Sequence, residues 1–146
     1  MGPGDPEPLR AFAPTQWGNS IRWIGEHLDV RPCLWACDLL VMPSRYEGAA
    51  VVPAEAMACG RPVVACAVSG ARMAISDPPY EPGGTVVAVG DMAELLAETW
   101  RLLEDPDDRA RVGANGRHRA VRLFSPEQVV DRLDAAYAEA IEVSRR

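Results

Sequence analysis

The sequence predicts an α/β fold, a parallel sheet flanked by helices. Three observations carry it: three short runs apolar on both faces, helical stretches between them, and a helical C-terminal third. A strand with one wet face alternates apolar and polar residues, whereas a strand covered on both faces reads as a continuous apolar run. Residues 39–42 (LLVM), 62–68 (PVVACAV) and 85–89 (TVVAV) are runs of the second kind. A helical stretch follows each, as the crossover between parallel strands requires.

Taken in order, residues 1–20 are rich in Pro and Gly, show no sustained period, and read as a linker or a segment cut from its context. Residues 21–146 then read as one incomplete domain. Residues 21–24 (IRWI) are a short strand candidate ended by Gly25, and residues 30–37 a short helix. The run at 39–42 is closed by Pro43 and Ser44. Asp91 is placed to cap a helix, with Glu94 three residues on, and Leu95, Leu96, Thr99, Leu102 and Leu103 form one stripe. Asp105 and Pro106 repeat the pattern of a cap and a first-turn proline. Ser125, Pro126 and Gln128 do so again for a last helix striped by Val129, Val130, Leu133, Ala136, Tyr137, Ala140 and Ile141. No internal repeat is present.

Composition narrows the function classes. A chain of 146 residues is long enough for one domain with a real core, burying roughly 68–70% of its unfolded surface. Its hydrophobic share of 48% and charged share of 25% exclude collagen, coiled coil and disorder. The net charge of -6 excludes the basic face that a nucleic-acid partner would call for. All 15 basic residues are arginine, so no lysine is available to a phosphate. No run approaches the ~18 apolar residues of a membrane span, and the start MGPGDPEP lacks the basic and apolar regions of a signal peptide, so the expected location is cytoplasmic. No metal is expected: His27 and His118 follow no zinc spacing. Only Cys33 and Cys37, at i and i+4, keep a metal site open against small buried thiols in a reduced cytosol.

The chemistry lies between the second and third strand candidates, in SRYEGAAVVPAEAMACGRP from Ser44 to Pro62. Glu47 falls just past the carboxyl end of a strand, Gly48 permits a tight turn, and Pro53 suits the first turn of a helix that holds Glu55. Ligands of open parallel sheets bind outside the carboxyl ends of the strands. Both carboxylates are therefore expected at one crevice, with a helix amino terminus between them. That arrangement suits a nucleotide-diphosphate sugar: a carboxylate accepts hydrogen bonds from adjacent hydroxyls, and helix N–H groups favour a diphosphate. Taken singly, each glutamate reads as a solvated loop charge or a complement to the helix dipole.

The strings DLLVMPSRYEG and AEAMACGRPVVA resemble the C-terminal, donor-binding domain of the retaining family 4 (group 1) glycosyltransferases, with Glu47 and Glu55 at the spacing of their Glu-x7-Glu motif. The resemblance continues upstream in WIGEHLDVRPCLWACDL and downstream in VSGARMAI, GGTVVAVGD, LLEDPDDRARVGANGR and FSPEQVVDRL. It implies a partial Rossmann-like sheet belonging to the C-terminal part of a GT-B enzyme. It implies further that Glu47 is the catalytic-site carboxylate on donor-sugar hydroxyls, and that Glu55 takes the ribose. The turn Gly48, Ala49, Ala50 and Val51 would then meet the diphosphate and sugar, Gly25 and Glu26 the nucleobase, and Gly70 would line the same crevice. Where the family commonly has Gly-Phe-Gly after the first glutamate, this chain has Gly48-Ala49-Ala50.

The resemblance also implies metal-independent transfer, with a nucleotide sugar as the donor. The family's phosphate-binding Arg and Lys, its first C-domain strands and its acceptor-binding domain are expected upstream of this sequence. Arg45, Arg61 and Arg72 are the cations that could compensate. Three functions stay open: a truncated or split glycosyltransferase, a non-catalytic donor-binding subunit completed by a separately encoded acceptor-binding chain, and a Rossmann-like nucleotide-binding domain without transfer. With no transmembrane segment expected, peripheral membrane contact would come only through the missing domain.

Overall fold

The apolar run at residues 62–68 becomes the middle strand of the sheet. In the computed structural model, which describes residues 20–48 and 51–144, strands β1 (Leu40–Met42), β2 (Val63–Cys66) and β3 (Gly84–Val87) form one sheet in that order. Both pairings are parallel, Leu40 opposite Val63 and Val63 opposite Gly84. Val63, Val64 and Ala65 are 0% exposed because β2 has a strand on each side and helices around it. This is the environment that a run without alternation requires.

The chain divides into two compact units, Met1–Pro32 and Cys33–Arg146. Among the described residues of the first, 21–27 carry no regular secondary structure, so the strand expected at 21–24 does not form. An apolar tetrapeptide makes a strand only when a neighbour takes its N–H and C=O groups, and among the described residues the sheet comprises β1, β2 and β3. The Asp29 carboxylate accepts from the Arg31 backbone N–H at 3.0 Å, from Nε at 2.8 Å and from Nη2 at 2.8 Å. The side-chain bonds from Arg31 hold its pKa down to about 2. Helix α1 (Arg31–Ala36) starts there, and the boundary between the units falls within it.

Five more helices belong to the second unit: α2 (Val51–Ala58), α3 (Ala71–Ile75), α4 (Met92–Glu104), α5 (Pro106–Phe124) and α6 (Pro126–Ser144). The caps are where the sequence placed them. Asp91 Oδ1 accepts from the Glu94 N–H at 2.9 Å, and Asp105 Oδ1 accepts from those of Asp107 at 3.1 Å and Asp108 at 2.9 Å. The Arg109 guanidinium donates to the Leu102 and Leu103 carbonyls, each at 2.9 Å, closing the far end of α4 with a cation.

The core fills from the helices: Ala56 and Met57 of α2, Ala71 and Ile75 of α3, Leu102 of α4 and Ala120 of α5 are buried. Helix α5 lies against α2 because two glycines let the backbones approach. A Cβ on Gly113 would stand 2.3 Å from the Gly60 carbonyl oxygen, and one on Gly116 3.1 Å from Met57 Cγ. Two expected stripes are only partly used. Leu95 and Leu102 are buried while Leu96 and Leu103 are exposed, and no residue of α6 is buried. Val129, Val130, Leu133, Tyr137 and Ile141 thus keep their helical spacing but stay largely exposed, because α6 packs against α5 rather than over the sheet.

Candidate functional site

All three strands run in one direction, so their carboxyl ends share one edge of the sheet. Three connections leave that edge, beginning at Pro43, Ala67 and Ala88. The first carries Glu47, half-buried, whose Oε1 accepts a 2.7 Å hydrogen bond from Ser44 Oγ. Gly48 follows, Ala49 and Ala50 lie outside the described residues, and α2 begins at Val51. The first N–H groups of an α-helix have no partner within it. Here those of Val51 and Val52 point back toward the turn, and Pro53 has none to leave unsatisfied. At the other end of α2 the Arg117 guanidinium donates to the Ala58 carbonyl. A cation there reinforces a dipole whose positive end faces the turn.

The second connection supplies the facing wall. Gly70 adopts φ 75, a left-handed conformation that suits glycine, and α3 starts directly after it. Between the two connections opens a cleft of about 490 Å³, a size usual for small-molecule sites. Gly48, Val51 and Ala54 line one side, Ser69, Gly70 and Met73 the other. Phe124 and Val129, from the end of α5 and the start of α6, close it. Among these side chains only Ser69 brings a hydroxyl, so the cleft's polarity rests on backbone groups and on the neighbouring Glu47.

Of the residues singled out from sequence, Gly48, Val51 and Gly70 meet at this cleft, with Glu47 directly before Gly48. Glu55 lies on α2 one turn beyond Val51, exposed, its carboxylate without a hydrogen-bond or ion-pair partner among the described residues, while its neighbour Ala54 forms the wall. Gly25, with φ 68, and Glu26 belong to the first unit. Arg45 and Arg72 are exposed beside the cleft's two connections. Arg61 is excluded as a compensating cation: it precedes β2, at the amino ends of the strands, and its Nη2 donates to the Trp35 carbonyl at 2.8 Å.

Sequence reasoning missed Ser44, Ser69, Met73, Phe124 and Val129. The two serines carried a signal, since each follows a strand on the carboxyl edge. Phe124 and Val129 carried none, because only the path of α5 brings them to the cleft. Among the described residues no three His, Cys, Asp or Glu side chains gather as a metal-ligand set. Cys37 falls just past α1, where its Sγ donates to the Leu34 carbonyl and burial pushes its thiol pKa up.

A second hollow, about 360 Å³, lies at the opposite edge of the sheet by Glu81, Thr85 and Asn115. Its two arginines are paired with carboxylates of the surrounding helices, while Glu81 carries no such pair among the described residues. Thr85 Oγ1 and Arg101 Nε donate to Glu98 at 2.8 and 3.0 Å, and Arg101 and Arg111 both bind Asp108. Such a hollow offers an anionic ligand little free positive charge.

Comparison with known proteins agrees with the fold. The family model described as "Glycosyl transferases group 1" matches residues 1–105. The chain is 39% identical over 113 residues to the MMP alpha-(1->4)-mannosyltransferase of Mycolicibacterium hassiacum, covering 77% of this chain and 27% of that protein. It thus spans about a quarter of the length of the curated relatives it matches. In structure it is similar to the sucrose-phosphate synthase of Thermosynechococcus elongatus, with a TM-score of 0.77 and 31% identity over 94% of this chain and 34% of that one. It is also similar to Anabaena HepE, solved in complex with UDP, with a TM-score of 0.69 and 27% identity over 82% of this chain and 34% of that one. No helix among the described residues is long and apolar enough to cross a membrane.

Proposed function

The chain belongs to the group 1 glycosyl transferases, and from that premise we propose that its cleft binds the nucleotide-diphosphate sugar donor of a retaining, metal-independent sugar transfer. The observation that carries the reading is the turn from Glu47 through Gly48 into α2, opening on a cleft at the carboxyl edge of a parallel sheet. The relative solved with UDP supports the choice of ligand class.

In this reading the N–H groups from Gly48 to Val51, Ala49 and Ala50 included, meet the diphosphate. The amino end of α2 contributes about 0.3–1 kcal/mol toward an exposed anion. Glu47, oriented by Ser44, accepts from hydroxyls of the transferred sugar, and Glu55 from the two ribose hydroxyls. Each such charge-assisted bond is worth about 1.5–3 kcal/mol. On transfer the bond from the anomeric carbon to the diphosphate breaks and its electron pair leaves with the phosphate oxygen. The acceptor hydroxyl bonds to the same face of the sugar, and its proton passes to the departing diphosphate. Donors aimed at that oxygen act where charge develops. The acceptor itself is assigned to a separate domain, part of the same enzyme or encoded separately.

A thermal-shift panel of UDP, GDP and ADP sugars at millimolar concentration tests the reading. At least one stabilises the chain, and Glu55→Ala abolishes the shift. A well-folded sample that responds to none of them contradicts it.

A further inference from the structure

The largest fully buried side chain in the second unit is a cation with no carboxylate partner. Arg119, on α5, is 1% exposed and forms no ion pair among the described residues. Its guanidinium is spent on carbonyls: Nε donates to Ala74 at 2.7 Å, Nη2 to Met73 at 2.5 Å and Nη1 to Tyr80 at 2.9 Å. A buried charge is costly, and burial of this kind persists only where several hydrogen bonds compensate it, with the Asp77 carboxylate adding a longer-range attraction that favours the cation. Here burial pushes the guanidinium pKa down.

The carbonyls it grips are specific ones. Met73 and Ala74 are the two residues of α3 whose side chains line the cleft, and Phe124, five residues along α5 from Arg119, lines it as well. The planar fork of Arg119 therefore sets the separation of the Met73 and Phe124 walls. The neighbouring ring contact between Tyr80 and His118, edge to face at 5.9 Å, ties the connection after α3 to α5. We infer that Arg119 is a positioning residue for the donor cleft, holding α3 and the Ser69–Gly70 wall at the spacing a nucleotide sugar needs. The inference rests on the donor-site reading above and adds a residue remote from the ligand on which binding depends.

Arg119→Lys is the informative variant, because it keeps the charge. Its three donors sit on one nitrogen and do not reproduce a fork spanning three carbonyls on two segments. The full chain and this variant are titrated with UDP, GDP and ADP by calorimetry. Misplacing a wall far from the chemistry weakens binding steeply, and the variant is expected to bind about tenfold more weakly than the parent. In the unmodified chain, the Nε–H proton signal of Arg119, sheltered by burial, is expected to shift when the nucleotide saturates the cleft. That second readout stands even if the variant does not fold. A parent that binds none of the three nucleotides overturns the donor-site reading, and this inference with it. A parent that binds, with the variant's affinity within about twofold or the Nε–H signal unmoved at saturation, overturns the inference alone.

Discussion

Ser44 Oγ donates to Glu47 Oε1 at 2.7 Å, so the hydroxyl at the start of the first carboxyl-edge connection orients the carboxylate at its end. Both residues are half-buried, which limits the water available to replace that bond. Ser44→Ala is expected to weaken nucleotide-sugar binding about tenfold or more, the equivalent of one hydrogen bond to a charged group at about 1.5 kcal/mol or above. Ser44→Thr retains the hydroxyl and most of the affinity. Calorimetric titration of both variants checks this, and equal losses for Ala and Thr would remove Ser44 from the site.

Close approach of α5 to α2 depends on Gly113. Alanine there gains about 1 kcal/mol of helix propensity over glycine, yet its Cβ would stand 2.3 Å from the Gly60 carbonyl oxygen. The oxygen is backbone and yields little, so the overpacking cost of about 1–3 kcal/mol is expected at its upper end. Gly113→Ala should lower Tm by about 4–8 °C. A thermal melt showing stabilisation would mean that α5 sits farther from α2.

The caps differ in what they satisfy. Asp105 accepts two backbone N–H groups and Asp91 one. Asp105→Ala is expected to cost about 1–2 kcal/mol and Asp91→Ala about 1 kcal/mol. Urea denaturation of the two variants orders them, and the reverse order would contradict the cap geometry.

Acid stability follows from the network beside β3. Bonds from Arg101 and then Thr85 hold the Glu98 carboxyl below its ordinary value of 4.5, and Arg111 with Arg101 does the same for Asp108 below 3.8. A depressed folded-state pKa contributes stability that is present above the unfolded value and is lost as pH falls through the folded one. Unfolding free energy should therefore drop between about pH 5 and pH 2. In Glu98→Gln that acid-linked drop becomes smaller, as urea titrations across the range would show. An unchanged pH dependence would mean that Glu98 is not engaged.

Much of this was legible in the sequence, for identifiable reasons. The runs at 39–42, 62–68 and 85–89 became β1, β2 and β3, although only β2 is covered on both faces along its whole length, while Val41 of the edge strand β1 stays exposed. Asp91, Asp105 and Ser125 announced their helices because a cap is a local device. Glu47, Gly48 and Val51 were placed near the cleft by one topological rule, that parallel strands share a carboxyl edge, and Gly70 by the family resemblance. What could not be read required tertiary contact. The tetrapeptide at 21–24 has strand-like composition but carries no regular secondary structure. The α6 stripe has helical spacing but no covering surface among the described residues. Phe124, Val129 and Arg119 reach the cleft or its supports only through the packing of α5, and no spacing in the sequence encodes that.

The most direct test is a map of nucleotide-sugar contacts on the labelled chain. Titrating a UDP sugar into 15N-labelled protein should shift backbone amide signals of Gly48, Val51, Val52, Ser69 and Gly70, and these shifts should vanish in Glu55→Ala at the same concentration. Shifts confined to Thr85, Arg101, Arg111 and Asn115, at the opposite edge of the sheet, would contradict the assignment of the donor cleft.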